Sequence, residues 1–262
     1  MYGSKCQLNY GMGNDTFHLE AGSRIREVFN FCEPLIYDEY LIYTENKLFK
    51  DENILILGGG GSTKRWLASN PSLDYDSIWS LNNFYKNNYI FNNIKVDLFS
   101  VGPEVNVKDP ILLDYLYKNN TIAAIELHQK WGRTFNNPET GQTPSQLKDE
   151  INLFYDNNKK VCFQTKFYSQ LGGGVRLLIY AAHIGVKSIS FIGFDGPTAI
   201  INGDHAFEEG KVQFPGAVKH LDNNTKVKFF QQQYSVFWQY FKQIYKTKVI
   251  SLDDNPLHSS CR

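Results

Sequence analysis

Short runs of consecutive apolar residues recur along the sequence from residue 53 onward. The first, Ile54-Leu55-Ile56-Leu57, leads directly into four glycines. Continuous apolar runs of this length are typical of parallel strands that are buried on both faces. The strands predicted in this way are Ile54–Leu57, Ser77–Leu81, Val96–Val101, Ile122–Leu127, Lys160–Gln164, Ser188–Ile192 and Lys248–Leu252.

Segments with helical spacing lie between several of these runs. The predicted helices are Asp109–Asn119, Ser145–Asn157, Gly174–Ile184 and Thr225–Tyr245, with starts at Thr143-Pro144-Ser145 and Asn224-Thr225. In the last helix, aromatic residues recur at steps of three and four, which we interpret as ordinary core packing. Because strand and helix alternate, the sequence predicts an α/β fold, a doubly wound and mostly parallel Rossmann-like sheet with helices on both faces.

The first 50 residues show no clear period and mix aromatic with acidic side chains. We expect residues 1–50 to form an N-terminal extension packed on the core, and residues 51–262 to form one nucleotide-binding catalytic domain. A chain of 262 residues suits one large domain with an appendage.

Charge and cysteine content narrow the classes of function. The 27 basic residues balance 27 acidic ones, which argues against nucleic acid as a partner. The four cysteines are scattered without metal-binding spacing, so we expect reduced thiols, a cytoplasmic location and no metal site. No apolar stretch predicts a transmembrane segment, while a peripheral membrane contact and the oligomeric state stay open.

The glycine run Gly58-Gly59-Gly60-Gly61-Ser62 is the first candidate for chemistry. A buried strand that ends in glycines offers unobstructed backbone N–H groups to a phosphate at the start of the next helix. The run does not fit the P-loop pattern, and Lys64 or Thr63 stands where a dinucleotide fingerprint has its third glycine. A methyltransferase motif is a further alternative for this run, but this chain lacks the acidic residue that such a motif has after the next strand. A tight turn without a ligand is the simplest alternative.

Three further features point to the same edge of the sheet. Asn82 and Asn83 end the second predicted strand, where their amides could contact a base or ribose. A second run, Gly172-Gly173-Gly174, precedes a predicted helix. Asp195 ends the strand after that helix, where we expect its carboxylate to act in catalysis by contacting a ribose or an acceptor hydroxyl. Each of these three features can also be explained without a ligand, as turn residues or as a helix cap.

In this order, these features resemble the bacterial sialyltransferases of glycosyltransferase family 42 and the related domain of the archaeal hydroxymethyl-dihydropterin pyrophosphokinase. The Gly58–Ser62 turn is similar to the Gly-Asn-Gly-Pro-Ser turn of the sialyltransferases, and Asn82-Asn83-Phe84-Tyr85 is similar to their Asn-aromatic segment. The block Gly172–Asp195 aligns without a gap with their Thr-Ser-Gly-Val to Gly-Ile-Asp block. The resemblance covers residues 53–255.

The resemblance implies a GT-A-like fold and a CMP-type nucleotide-sugar donor, with glycines at the phosphates and Asn82 near the nucleotide. It also implies a histidine base between the Gly-Ile-Asp strand and the last helix, where this chain has His205 and His220, and His220 is the better match. Such a histidine would take a proton from the hydroxyl of a glycan or lipid-linked acceptor.

The sequence departs from the sialyltransferase pattern at three points. Gln170-Leu171 replaces its arginine, Gly172-Gly173 replaces its Thr-Ser, and Gly196-Pro197-Thr198-Ala199 replaces the segment with its tyrosines. Two alternatives therefore stay open. One is an ATP- and Mg²⁺-dependent pyrophosphokinase-like transferase, whose metal would need the carboxylates of Asp195, Asp204 and Glu208. The other is a relative that binds a nucleotide or sugar without turnover.

Overall fold

The computed structural model describes residues 35–37, 48–102, 105–126, 160–164, 171–196, 205–209 and 222–261. Its strands are β1 (Leu35–Tyr37), β2 (Asn53–Leu57), β3 (Ser77–Leu81), β4 (Leu98–Val101), β5 (Ile122–Glu126), β6 (Lys160–Gln164), β7 (Ser188–Ile192) and β8 (Lys248–Ser251). Its α-helices are α1 (Gly61–Ala68), α2 (Asn88–Asn93), α3 (Pro110–Asn119), α4 (Gly173–Ile184) and α5 (Asn223–Ile244). Short 3-10 helices span Phe84–Lys86 and Pro256–Cys261.

The strands form one sheet in the order β1-β6-β5-β4-β3-β2-β7-β8. Strands β2 to β8 are all parallel to one another, and β1 pairs antiparallel with β6 at the edge. This confirms the predicted doubly wound, mostly parallel α/β fold. Strand β1 comes from the segment 1–50, most of which lies outside the described residues.

Two hydrophobic clusters cover the two faces of the sheet. On β2, Ile54 and Ile56 face the cluster that contains α4 and α5, whereas Leu55 and Leu57 face the cluster that contains α1, α2 and α3. Consecutive residues of a strand point to opposite faces, so a strand covered on both faces has to be apolar at every position. The continuous apolar runs of the sequence follow from this two-sided burial.

The order of the strands reverses beside β2. From β2 the chain moves through β3, β4, β5 and β6 in one direction, and then returns to β7 and β8 on the other side of β2. When crossovers are right-handed, the direction in which the next strand is added decides which face of the sheet the connecting helix covers. The reversal beside β2 therefore explains why α1 to α3 lie against one face and α4 and α5 against the other. The carboxyl ends of β2 and β7 therefore flank the topological switch point, where ligands of such sheets bind.

Most predicted elements agree with the structure to within two residues at each end. The predicted helix Ser145–Asn157 and its start at Thr143 lie outside the described residues. Helix α5 begins at Asn223, two residues before the predicted Thr225, because the Asp222 side chain caps it by accepting the Thr225 N–H at 3.0 Å. Sequence analysis did not predict β1 or the six-residue helix α2.

The aromatic stripe of α5 is confirmed as core packing. Its residues lie in the cluster against β7, with Phe191 and Trp238 stacked at a centroid distance of 5.8 Å. Among the described helices, none combines the length and the apolar character that a membrane span requires.

Candidate functional site

The glycine turn after β2 lies directly on the loop after β7. The Gly58 N–H donates to the Ile192 carbonyl at 2.8 Å, and the Gly60 N–H donates to the Gly193 carbonyl at 2.9 Å. Within the turn, the Thr63 hydroxyl donates to the Gly58 carbonyl at 2.8 Å. These bonds join the ends of the two strands that flank the switch point.

The carboxylate of Asp195 occupies the start of α1. Its Oδ2 accepts the Ser62 N–H at 2.8 Å, and its Oδ1 accepts the Ser62 hydroxyl. The Ser62 Oγ in turn accepts the Gly193 N–H at 3.1 Å. Asp195 is 4 % exposed, so its negative charge is held inside the protein at the positive end of a helix dipole. A group of the chain itself thus fills the anion position that sequence analysis assigned to a phosphate.

Three glycines of the first run make room for neighbouring side chains. A Cβ on Gly58 would lie 2.6 Å from the Phe194 ring, and a Cβ on Gly60 would lie 2.6 Å from the Asp195 carboxyl carbon. A Cβ on Gly59 would lie 2.7 Å from Nε2 of His205. Glycine is required at these positions because protein atoms approach the backbone this closely.

The second glycine run lies against the same aromatic ring at the start of α4. A Cβ on Gly174 would lie 2.8 Å from the tip of the Phe194 ring. Gly172 caps α4 with φ at +81°, a conformation that favours glycine, and provides no side-chain cap. Gly173 differs from both, because no heavy atom of the described residues lies within 4 Å of the position of its Cβ. The start of α4 therefore faces open space at Gly173.

His205 is held in one tautomer by its neighbours. Its Nδ1 accepts the N–H groups of Phe207 at 3.2 Å and Glu208 at 3.1 Å. A neutral imidazole that accepts at Nδ1 carries its proton on Nε2. The Nε2 that lies against Gly59 is therefore a hydrogen-bond donor in this geometry, which suits contact with an anion better than removal of a proton.

The segment 205–209 is fixed between β2 and α2. The Ala206 N–H donates to the Gly59 carbonyl at 2.9 Å, and the Asn87 side chain donates to the Ala206 carbonyl at 2.8 Å. Glu208 forms a salt bridge with Lys86 at 3.0 Å. Two of the carboxylates considered for Mg²⁺, those of Asp195 and Glu208, are thus engaged by protein donors, and Asp204 lies outside the described residues. The described ranges contain no cluster of three or more His, Cys, Asp or Glu residues that could hold a metal ion.

The two asparagines after β3 lie at the neighbouring strand end. Asn82 adopts φ of +52°, and its N–H donates to the Ser100 carbonyl at 2.8 Å. Asn83 is 3 % exposed, and within the described part of the chain its Oδ1 has no hydrogen-bond partner. A buried acceptor without a donor is uncommon in proteins. A ligand hydroxyl or amino group would satisfy it.

No pattern in the sequence indicates the residues that support the Asp195 loop. The His258 ring contacts the Phe194 carbonyl through Nε2 at 2.9 Å, and the Asn255 side chain donates to the Asp195 carbonyl at 3.2 Å. Tyr234 Oη donates to the same Phe194 carbonyl at 3.4 Å. Burial lowers the pKa of His258, so the ring is held neutral. The pair Asn255-Pro256 has the composition of a turn, but no sequence pattern links it to residue 195.

The structure thus brings part of the predicted site together beside the β7 loop. Gly58 and Gly174 lie against the Phe194 ring, Asp195 follows Phe194 on the loop, and His205 lies against Gly59, whereas His220 lies outside the described residues. The fold and this arrangement define a doubly wound α/β protein with two glycine-rich helix starts at its switch point.

Comparison with known proteins gives matches to solved structures alone. No family model and no curated protein sequence matches the chain. The sialyltransferase CstII from Campylobacter jejuni, in complex with cytidine-5'-monophosphate, is similar at 18% identity with a TM-score of 0.44, over 80% of this chain and 83% of that chain. The sialyltransferase CST-II with trisaccharide acceptor and CMP is similar at 17% identity with a TM-score of 0.41, over 79% of this chain and 83% of that chain. CstII with CMP-3FNeuAc matches at 18% identity with a TM-score of 0.42, over 79% of this chain and 84% of that chain.

Proposed function

We propose that this protein is a nucleotide-sugar-dependent glycosyltransferase with a CMP-type donor. The observation that carries the proposal is the convergence of the β2–α1 turn and the start of α4 on one residue at the switch point. Gly58 in that turn and Gly174 in the first turn of α4 both lie against the Phe194 ring. Helix starts attract anions, and the start of α4, where no described residue fills the space at Gly173, suits the phosphate of an activated sugar.

The phosphate of the donor is placed at α4 rather than at α1. The Asp195 carboxylate already accepts the Ser62 N–H at 2.8 Å, so a second anion at α1 would meet a like charge. At α4, Gly173 leaves open space, and a side chain there would point where we place the phosphate. In this arrangement Asp195 keeps a structural role as the cap of α1.

The nucleoside is placed toward the end of β3. The Asn83 Oδ1 is a buried acceptor for which the described residues provide no donor, and Asn82 is its neighbour. An amino group of the base or a ribose hydroxyl would donate to this oxygen. The resemblance of Asn82-Asn83-Phe84-Tyr85 to the sialyltransferase segment supports cytosine as the base.

His220 is the proposed general base, and the acceptor is a hydroxyl of a glycan or of a lipid-linked sugar. His205 is the weaker candidate because its Nδ1 already accepts the N–H groups of Phe207 and Glu208. We assign to His205 a supporting role at the glycine turn.

A charge test at Gly173 examines the proposal. A Cβ at this position has no described residue's heavy atom within 4 Å, and a carboxylate at a helix start favours the folded state. We expect Gly173→Glu to keep the melting temperature of the wild type and to weaken CMP binding by about tenfold or more, a loss of about 1.4 kcal/mol. Gly173→Gln has the same size without the charge and is the matched control, for which we expect a smaller loss.

Binding is measured by calorimetry and by thermal shift with CMP, CDP, UDP, GDP, ATP and S-adenosylmethionine, each with and without Mg²⁺. A ligand at about 100 times its Kd stabilises the folded state by about 2.7 kcal/mol. A shift with CMP that needs no metal supports the proposal. A Mg²⁺-dependent shift with ATP would replace it with the pyrophosphokinase-like transferase, and binding of a CMP-sugar without hydrolysis or transfer would indicate a non-catalytic relative.

A further inference from the structure

The carbonyls of Phe194 and Asp195 are both held by the segment that follows β8. His258 lies 2.9 Å from the Phe194 oxygen, and the Asn255 side chain donates to the Asp195 oxygen at 3.2 Å. A carbonyl oxygen can only accept, so His258 donates through Nε2. The two consecutive carbonyls of the loop therefore have donors from a different part of the fold.

The His258 ring has little freedom to move away from this bond. It is 1 % exposed, and the rings of Phe191, Tyr234 and Trp238 surround it edge-on at centroid distances of 4.9, 4.8 and 5.9 Å. The His258 N–H also donates to the Asn255 carbonyl at 3.0 Å. A donor fixed in this way sets the position of the peptide between Phe194 and Asp195.

That peptide separates the two groups on which the site depends. On one side, the Phe194 ring lies against both glycine runs. A Cβ added to Gly58 would lie 2.6 Å from this ring, and one added to Gly174 would lie 2.8 Å from it. On the other side, the Asp195 carboxylate caps α1 through Ser62. A shift of this peptide would move the ring and the carboxylate together.

We propose that His258 is a positioning residue for the nucleotide site, acting through the peptide between Phe194 and Asp195 and assisted by Asn255. The effect on binding rests on the function proposed above, whereas the effect on the loop does not. His258 itself does not contact the ligand in this proposal.

The test compares a variant that removes the donor with one that retains it. His258→Leu fills the buried space without a donor, and His258→Gln can present its Nε2 donor near the position of the imidazole Nε2. Asn255→Asp is a milder second variant, because it keeps the acceptor for the Leu257 N–H and loses the donor to Asp195. Tyr115→Phe is the matched control: Tyr115 is also 1 % exposed and donates to the Ile94 carbonyl at 2.5 Å, in the cluster on the opposite face of the sheet.

CMP affinity is measured at a temperature where all variants are folded. We expect His258→Leu to raise the Kd by about tenfold, and His258→Gln to restore it to within about threefold of the wild type. Tyr115→Phe should lower the melting temperature without changing the Kd. Wild-type affinity in both His258→Leu and Asn255→Asp, or an equal loss in Tyr115→Phe, would overturn the proposal.

Amide hydrogen exchange separates this proposal from the proposed function. The Ser62 N–H is bonded to Asp195 and the Gly193 N–H is bonded to Ser62, so both report the position of the loop. We expect both amides to exchange about tenfold faster in His258→Leu, and at the wild-type rate in His258→Gln and Tyr115→Phe. If the wild type binds no nucleotide, the proposed function fails and exchange still decides the positioning role. If His258→Leu does not fold, Asn255→Asp decides both measurements, and unchanged exchange in it refutes the role.

Discussion

Ser62 and Asp195 are separated by 133 residues and form a two-point contact at the switch point, in which the backbone N–H and the hydroxyl of Ser62 donate to the two carboxylate oxygens. The contact explains why a serine follows four glycines in the sequence. Its hydroxyl connects the cap of α1 to the backbone of the β7 loop at Gly193.

We expect Ser62→Ala to destabilise the protein by about 1–3 kcal/mol, because a buried carboxylate loses a donor and the Gly193 N–H loses its acceptor. Denaturant titration measures the change in the free energy of unfolding. Ser69→Ala is the control at the other end of α1, where the exposed Ser69 hydroxyl donates to the Trp66 carbonyl at 2.7 Å. We expect that control to change stability by less than about 0.5 kcal/mol. Equal effects of the two variants would contradict the assigned role of Ser62.

The two glycine runs should respond differently to alanine. At Gly60 a methyl group would lie 2.6 Å from the Asp195 carboxyl carbon, and we expect Gly60→Ala to cost about 1–3 kcal/mol from overpacking. At Gly173 the methyl group meets no atom within 4 Å, so Gly173→Ala should leave stability unchanged or increase it slightly. Thermal unfolding of the two variants provides the comparison. A larger loss at Gly173 than at Gly60 would show that the start of α4 is occupied by protein.

The stability of the protein should fall with acid partly through His258. Burial lowers the pKa of this ring in the folded state. The unfolded chain therefore binds a proton first, and the stability contributed by the neutral ring is complete above about pH 6.5 and is lost as the pH falls below that value, by at most about 1.4 kcal/mol per pH unit. Because His258→Gln does not titrate, the difference in unfolding free energy between the two proteins should shrink or reverse from pH 7 to pH 5. A constant difference would mean that His258 is not buried in its neutral form.

Variants at the two candidate histidines should distinguish a structural role of His205 from a catalytic role of His220. Asparagine can accept the Phe207 and Glu208 N–H groups through Oδ1, so His205→Asn should keep the fold of segment 205–209 and most of the transfer activity. His220→Ala should reduce kcat by about 100-fold or more if His220 is the base. Initial rates with a CMP-sugar donor give both values. Loss of activity in His205→Asn with an unchanged melting temperature would transfer the role of base to His205.

How much of this protein could be predicted from its sequence depends on the range of the interactions. Strands such as β2 and β7 are evident because burial on both faces makes every position apolar. The six residues of α2 do not complete two helical turns, so they leave no periodic pattern. Strand β1 has three residues at the edge of the sheet, which is too short for an alternating pattern.

The sequence indicates which strand ends flank the switch point, but not the contacts that the residues make there. Glycines at strand ends identify the switch point, but the sequence does not distinguish a glycine that accommodates a phosphate from one that accommodates a neighbouring ring. That distinction depends on Phe194 and Asp195, which lie more than 130 residues from the first glycine run. The role of His258 is also non-local, since its partner carbonyl is 64 residues away.

The ring of Phe194 occupies the space that side chains at Gly58 and Gly174 would need. These three positions therefore form one steric unit contributed by three separate stretches of the chain. In an alignment of relatives we expect positions 174 and 194 to covary: alanine or serine at position 174 should occur together with a smaller side chain at position 194. A Cβ at position 58 would also lie 2.5 Å from the Gly193 carbonyl oxygen, so we expect glycine to be retained there. Engineering that replaces Phe194 with leucine would create room for a side chain at position 174, and would be the first step in reshaping the entrance between the two helices for a different ligand.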